Sequence, residues 1–181
     1  MVRVMLMLLC CWTASAAQGK AIVDIGSDWR YYDKPELVNP SWYKAQFDDS
    51  HWPVGRAQFG YGEGDEVTVT SYGDKADAKP IAQFYRQHFT VDTQATEALT
   101  LNLLVDDGAI IYINGQEAYR ANLPQAYHAE VNATATFIEH VWLSVPLDPA
   151  LLKLGNNVIA VAVHQLSPRS TDISFDLGLH Y

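Results

Sequence analysis

Cysteine is almost absent from this 181-residue sequence: Cys10 and Cys11 are the only two, both near its start. If that start is removed on export, no thiol is left to form a disulfide, bind zinc or act as a nucleophile. Long apolar runs are also missing. After residue 17 none approaches the roughly 20 residues of a membrane-spanning helix. Basic residues are few, 12 Lys and Arg against 21 Asp and Glu, for a formal net charge of −9. They are scattered singly, with no stripe to neutralise phosphates, which argues against nucleic acid and anionic membrane as partners. No stretch reads as an amphipathic helix of normal length, which excludes α/β enzymes built on a parallel sheet. The histidines show neither H-x-x-x-H nor H-E-x-x-H spacing for zinc. No G-x-S-x-G nucleophile elbow occurs.

The first residues read as a targeting segment. Arg3 supplies a positive start, Val4 to Trp12 is a short apolar run, and Ala14-Ser15-Ala16-Ala17 offers small residues for cleavage. That pattern is a secretory signal peptide over 1–17, cut after Ala16 or Ala17. A single domain over 18–181 is expected to follow, secreted or periplasmic. It would enter an oxidising compartment without disulfides, so its core must hold it together.

The remainder reads as nearly all strand. Asp107-Gly108 is a turn signal, Ile110 to Ile113 is β-branched and aromatic, and Asn114-Gly115 supplies the positive φ angles of a type I′ hairpin turn. Leu99, Leu101, Leu103 and Val105 alternate with polar residues. So do Ile173, Phe175, Leu177 and Leu179. Both sets are expected to face the core. Further strands are expected at Ala21 to Ile25, Trp29 to Tyr32, Glu66 to Thr70, Phe84 to Val91, Phe137 to Val145 and Val158 to His164. The last, an apolar run, reads as a central strand. One helical turn is expected within Pro40 to Phe47. Another within Pro146 to Leu152 is signalled by Asp148-Pro149. Eight or more strands with turns between them predict an all-β antiparallel sandwich or barrel.

Several segments together carry a resemblance. They are Phe47-Asp48-Asp49-Ser50-His51-Trp52, Gly60-Tyr61-Gly62, Asp106 to Arg120, Asn157 to Gln165, and Ser170 to Leu177. Over about residues 28–179 the chain resembles the galactose-binding-like jelly-roll modules of secreted bacterial proteins, some of them metallophosphatase-like. The Asp-Asp-Ser-x-Trp and Asn-Gly pieces are also similar to the sugar-binding N-terminal domain of family-two glycoside hydrolases. The resemblance implies a jelly-roll sandwich. As a class, such modules bind carbohydrate, mediate protein contacts or have no known role.

Five tryptophans and ten tyrosines are many for one sandwich. Aromatic rings flanked by Asp, Asn and Arg suit a saccharide, because sugar C–H groups pack on electron-rich faces while hydroxyls find polar partners. Trp29, Tyr31, Tyr32, Tyr61 and Tyr72 are the candidate ring contacts, and Trp29, Tyr31 and Tyr32 alternate so poorly that at least one should face solvent. Trp52 reads instead as a core anchor. Asp106 and Asp107 fit either hydroxyl or calcium contacts, or an Asx-turn. Arg120 fits either a hairpin ion pair with one of them or a fork to a ligand. The glycine-rich loop from Gly60 to Asp65 is not a nucleotide fingerprint. Glu63, Asp65 and Glu66 are the candidate ligands for a structural calcium ion, the only cofactor the sequence suggests. His164 reads as a hydrogen-bonded structural residue, within possible reach of Asp172. Asn132-Ala133-Thr134 is a glycosylation sequon.

Three functions are open on sequence. The first is a non-catalytic carbohydrate-binding module. The second is a protein-interaction module of an extracytoplasmic assembly. The third is a glycan-acting hydrolase with paired carboxyls. A concave aromatic groove would favour the first, and a flat apolar patch the second.

Overall fold

The computed structural model describes residues 20–34, 36, 38–93, 98–138 and 140–181. The expected signal peptide lies outside them. Among these residues, twelve strands form two six-stranded sheets stacked as a sandwich. The first sheet contains β1 (Ala21–Val23), β4 (Phe59–Tyr61), β5 (Thr68–Val69), β7 (Leu99–Asp106), β10 (Leu143–Leu147) and β12 (Ile173–His180). The second runs in the order β3 (Val54–Arg56), β2 (Asp28–Tyr32), β6 (Ala82–Val91), β11 (Gly155–His164), β8 (Gly108–Ile113), β9 (Gln116–Ala121). All pairings are antiparallel except β4 with β5.

The period-two patterns land as expected. Leu101, Leu103 and Val105 pair with β12 residues Leu179, Leu177 and Phe175, Leu99 pairs with Leu147 of β10, and all face the core between the sheets. β11 is apolar throughout for a different reason: both its faces are covered. Ile159, Val161 and Val163 point into the main core, while Ala160 and Ala162 point outward under Trp42 and Trp52. Two small alanines leave room there for large rings, so the outer face of the second sheet carries a second apolar cluster.

The hairpin turn has φ of 53° at Asn114 and 84° at Gly115, as a type I′ turn requires. Its side chain is part of a network: Asn114 Nδ2 donates to Leu151 O at 2.9 Å and to Asn157 Oδ1 at 2.7 Å. The turn at Asp148-Pro149 is also present, as a 3₁₀ turn Pro149–Leu151 with Asp148 Oδ1 accepting from Ala150 N.

Other expectations need correction. Residues 40–47 form successive three-residue-spaced turns rather than a helix, with Trp42, Lys44 and Phe47 N donating to Asn39, Ser41 and Lys44 O. Strand begins only at Leu143, not Phe137. Around β5 the alternation is real but runs opposite to hydrophobicity: Val67 and Val69 are exposed while Thr70 is buried. Thr68 Oγ1 holds that register by donating to Arg56 O and accepting from Arg56 N. Phe59–Tyr61 is a strand, not part of a loop. Gly60 is needed in it because a Cβ would sit 1.9 Å from Ile173 O, with φ at +152°.

Candidate functional site

Two loops lie across the outer face of the second sheet, and two buried polar groups hold them there. Arg86, on β6, points outward and is fully buried. Its Nε donates to Asp49 Oδ2 at 2.7 Å, and its Nη1 donates to Trp42 O. Asp49 also pairs with Arg30 at 3.4 Å and His88 at 2.9 Å. Arg30 reaches on to the carbonyls of Ser50 and Trp52. One carboxylate thus pins residues 42–52 to β2 and β6, and Trp52 becomes the core anchor expected of it, 3% exposed. Burial pushes the Asp49 carboxyl pKa up, but the hydrogen bonds and charges of Arg86 and His88 outweigh it and hold the value below the ordinary one.

The second anchor is His164, at the end of β11 and fully buried. Its Nδ1 lies 2.7 Å from Val131 O and its Nε2 lies 3.1 Å from Tyr127 Oη. A carbonyl only accepts, so Nδ1 carries the proton. Nε2 is then the acceptor and Tyr127 donates. This pair pins residues 127–131. The structural reading of His164 holds, but its partners are Tyr127 and Val131 and not Asp172.

Desolvation lowers the His164 pKa from 6.5 to about 4. Between those values the unfolded chain binds the proton and the folded one does not. Stability should therefore be complete above pH 6.5 and fall as the pH drops towards 4, by about 3 kcal/mol from this group. Urea unfolding at stepped pH values checks this. His164→Gln should flatten the slope, and an identical slope in that variant would remove His164 as the cause.

Between the pinned loops lies a concave groove of about 520 Å³. Trp42 and Tyr112 are its most buried rings, and Tyr43 and Tyr127 are half-buried. Tyr43 and Tyr112 stack with centroids 4.4 Å apart, and Trp42 meets Tyr112 edge-on at 5.8 Å. Gln125, His128 and Glu130 supply a polar rim. Burial raises the Tyr112 hydroxyl pKa to about 12 and raises that of Tyr127 as well. These hydroxyls stay protonated at neutral pH. The groove thus offers ring surface, neutral hydroxyls and exposed polar groups, the combination that small-molecule sites use.

The residues singled out from sequence do not converge on one place. Trp29 is 1% exposed and packs edge-on against Phe175 at 5.2 Å, so it is core and not a ligand contact. Tyr31 and Tyr32 are half-buried, so none of the three aromatics of β2 is fully exposed to solvent, contrary to what the poor alternation predicts. Tyr31 packs on Phe59, and Tyr32 on Trp52 and Phe84. Tyr61 and Tyr72 do meet, 5.2 Å apart, with Lys79 Nζ over both rings. Asp106 lies close enough to Tyr61 to raise its pKa further after burial has done most of the work, to about 12. Asp107 makes no local Asx-turn. Its Oδ2 accepts from Leu166 N at 2.6 Å, which joins the β7–β8 corner to the segment after β11. Arg120 pairs with neither aspartate. It forks onto Glu117 at 2.8 and 2.7 Å and donates to Pro124 O.

The three acidic loop residues are engaged by neighbouring groups of the chain. Glu66 accepts from the backbone N–H groups of Glu63 and Gly64. Glu63 and Asp65 face His140 at 3.0 and 3.6 Å. Among the described residues, no group of three His, Cys, Asp or Glu is placed to hold a metal ion.

Trp42, Tyr43, Tyr112 and Tyr127 were visible in the sequence only as part of the aromatic excess. The Asp-Asp-Ser-x-Trp segment was the available signal, because it pins the loop that carries Trp42 and Tyr43.

No family model matches the chain, and no curated protein matches it. Solved structures do. The chain is similar to part of a β-glucuronidase from Bacteroides uniformis, with 16% identity and a TM-score of 0.59 over 90% of this chain and 18% of that one. It is similar to part of a β-glycosidase from Bacteroides vulgatus at 15% identity and TM-score 0.55, covering 89% and 20%. A β-glucuronidase from Bifidobacterium dentium, complexed with coumarin-3-O-glucuronide, gives 20% identity and TM-score 0.53, covering 83% and 21%. The chain spans about a fifth of the length of these proteins. At this identity the likeness establishes the fold: an all-β sandwich of the kind found within family-two glycoside hydrolases.

Proposed function

We propose that this chain is a secreted, non-catalytic carbohydrate-binding module. The observation that carries the reading is the aromatic groove on the second sheet, concave and rimmed by Gln125, His128 and Glu130. A saccharide presents apolar C–H faces and a ring of hydroxyls, and the groove has a counterpart for each. The fold shared with part of several glycosidases supports it. The net charge of −9 leaves nucleic acid and anionic lipid outside the proposal. Export is part of the reading, and mass spectrometry of the exported chain should find an N-terminus close to Gln18. An intact Met1 on that material would sink it.

Affinity should be weak, on the order of micromolar to millimolar, because an open groove buries limited area against the cost of immobilising the ligand. Titration calorimetry against a glycan panel is the direct test. Tyr43→Ala should weaken binding about tenfold, the equivalent of ~1.4 kcal/mol of ring contact. A second reading rests on exposed apolar side chains at Ile138, Val141 and Trp142, 78%, 45% and 39% exposed. If no glycan binds while an exported protein co-purifies and Trp142→Ala releases it, the chain is a protein-interaction module instead.

A further inference from the structure

This inference rests on the carbohydrate reading and specifies the form of the ligand. The aromatic groove does not end at Glu130. A second hollow, of about 250 Å³, shares Val38, Ala129 and Glu130 with it and continues over Ala82 and Phe84 to Lys79 and Pro80. A third, of about 400 Å³, shares Lys34, Glu36, Ala78 and Pro80 with the second and ends at Asp74 and Lys75. The groove and the third hollow have no lining residue in common. The second hollow therefore lies between them, and the three adjoin as one trough.

The chemistry changes along it. One end offers the rings of Trp42, Tyr43, Tyr112 and Tyr127. The middle is floored by Ala82 and Phe84, outward-facing residues of β6. The far end offers carboxylates beside ammonium groups. Asp33 is already engaged there, accepting from Ser71 N at 2.7 Å. Lys34, Asp74 and Lys75 are exposed and form no ion pair among the described residues. Interleaved charges of both signs suit hydroxyl groups, which donate and accept, better than a polyanion.

A single sugar ring reaches only one of these environments. A linear chain reaches all of them, and each added unit contributes contacts without repeating the cost of immobilising the whole ligand. We propose that the trough binds a linear, neutral oligosaccharide lengthwise, with rings stacked at the Tyr43 end and hydroxyls at the Asp74–Lys75 end.

Calorimetry with ladders from disaccharide to hexasaccharide of β-1,4-linked glucan, mannan and xylan tests this on the whole exported chain. In at least one ladder, affinity should climb about tenfold or more with length. The combined Asp74→Ala and Lys75→Ala substitution should bring hexasaccharide affinity down to that of the disaccharide. Both residues are exposed, so folding is not at risk. Equal affinity for disaccharide and hexasaccharide, abolished by Tyr43→Ala, would overturn lengthwise binding and leave the carbohydrate reading standing. A gain with length that survives the double substitution would overturn the trough as its cause. Failure of every ladder to bind would overturn lengthwise binding of a neutral chain, and the glycan panel then decides the carbohydrate reading separately.

Discussion

Asp49→Ala should cost about 3–5 kcal/mol of folding stability, among the largest effects expected of any single substitution in the chain. Asp49 itself is small and mostly hidden. Its removal leaves the guanidinium of Arg86, 0% exposed, without the carboxylate that neutralises it. A buried charge without a partner keeps its desolvation cost and loses its compensation. The loop that carries Trp42 and Tyr43 loses its charged tie to β2 and β6 and keeps only the bond from Arg86 to Trp42 O, so the groove should loosen as stability falls. Urea unfolding checks the magnitude. Adding Arg86→Met to Asp49→Ala should recover much of the loss, because an apolar side chain of similar length leaves no charge behind. A loss under about 1 kcal/mol for Asp49→Ala alone would mean that solvent neutralises Arg86. The pH dependence has a definite sign. Asp49 is held below the ordinary carboxyl value, so its contribution is present above that value and is lost as pH falls through the lower, folded one.

Phe175→Ala should cost a similar amount, about 3–5 kcal/mol, by a different route. The Phe175 ring stacks on Tyr85 at 4.2 Å, meets Trp29 edge-on at 5.2 Å and lies 6.3 Å from Phe59. Tyr85 and Trp29 belong to one sheet, Phe59 and Phe175 to the other. Removing the ring opens a cavity where the two sheets meet, and the three interlocked aromatics left around it cannot all move to fill it. Thermal unfolding should show a lowered midpoint, and a change within about 0.5 kcal/mol would place this ring outside the core.

The two cases differ in how much of each was legible in the chain. Phe175 is legible because alternation with Ser174, Asp176 and Gly178 is a local signal with one meaning: one face in, one face out. The Asn114-Gly115 turn was legible for the same reason, since few residue pairs accept positive φ at both positions. Asp49 stands out in the sequence only as part of a motif. Its partner Arg86 lies 37 residues away on a strand whose apolar neighbours give no hint of a buried cation. Asp107 shows the same limit. Its local signal was an Asx-turn, yet the group it caps is Leu166 N, 59 residues on. Val67 and Val69 mislead in the opposite way: their alternation is correct, but the bonds of Thr68 to Arg56 turn the apolar side outward.

By itself, then, the sequence determined the strand periods, the tight turns, the all-β class and the acidic, cysteine-poor character of the chain. These follow from backbone preference and from composition, which act between neighbours or over the chain as a whole. Only the tertiary structure decided where the rings gather. Trp29 went to the core, while Trp42, Tyr43, Tyr112 and Tyr127 came together from three separate segments. Which of the described Trp and Tyr side chains line a groove depends on which loops cross the second sheet. That is set by Asp49 with Arg86 and by His164 with Tyr127, pairs whose members lie 37 residues apart in each case.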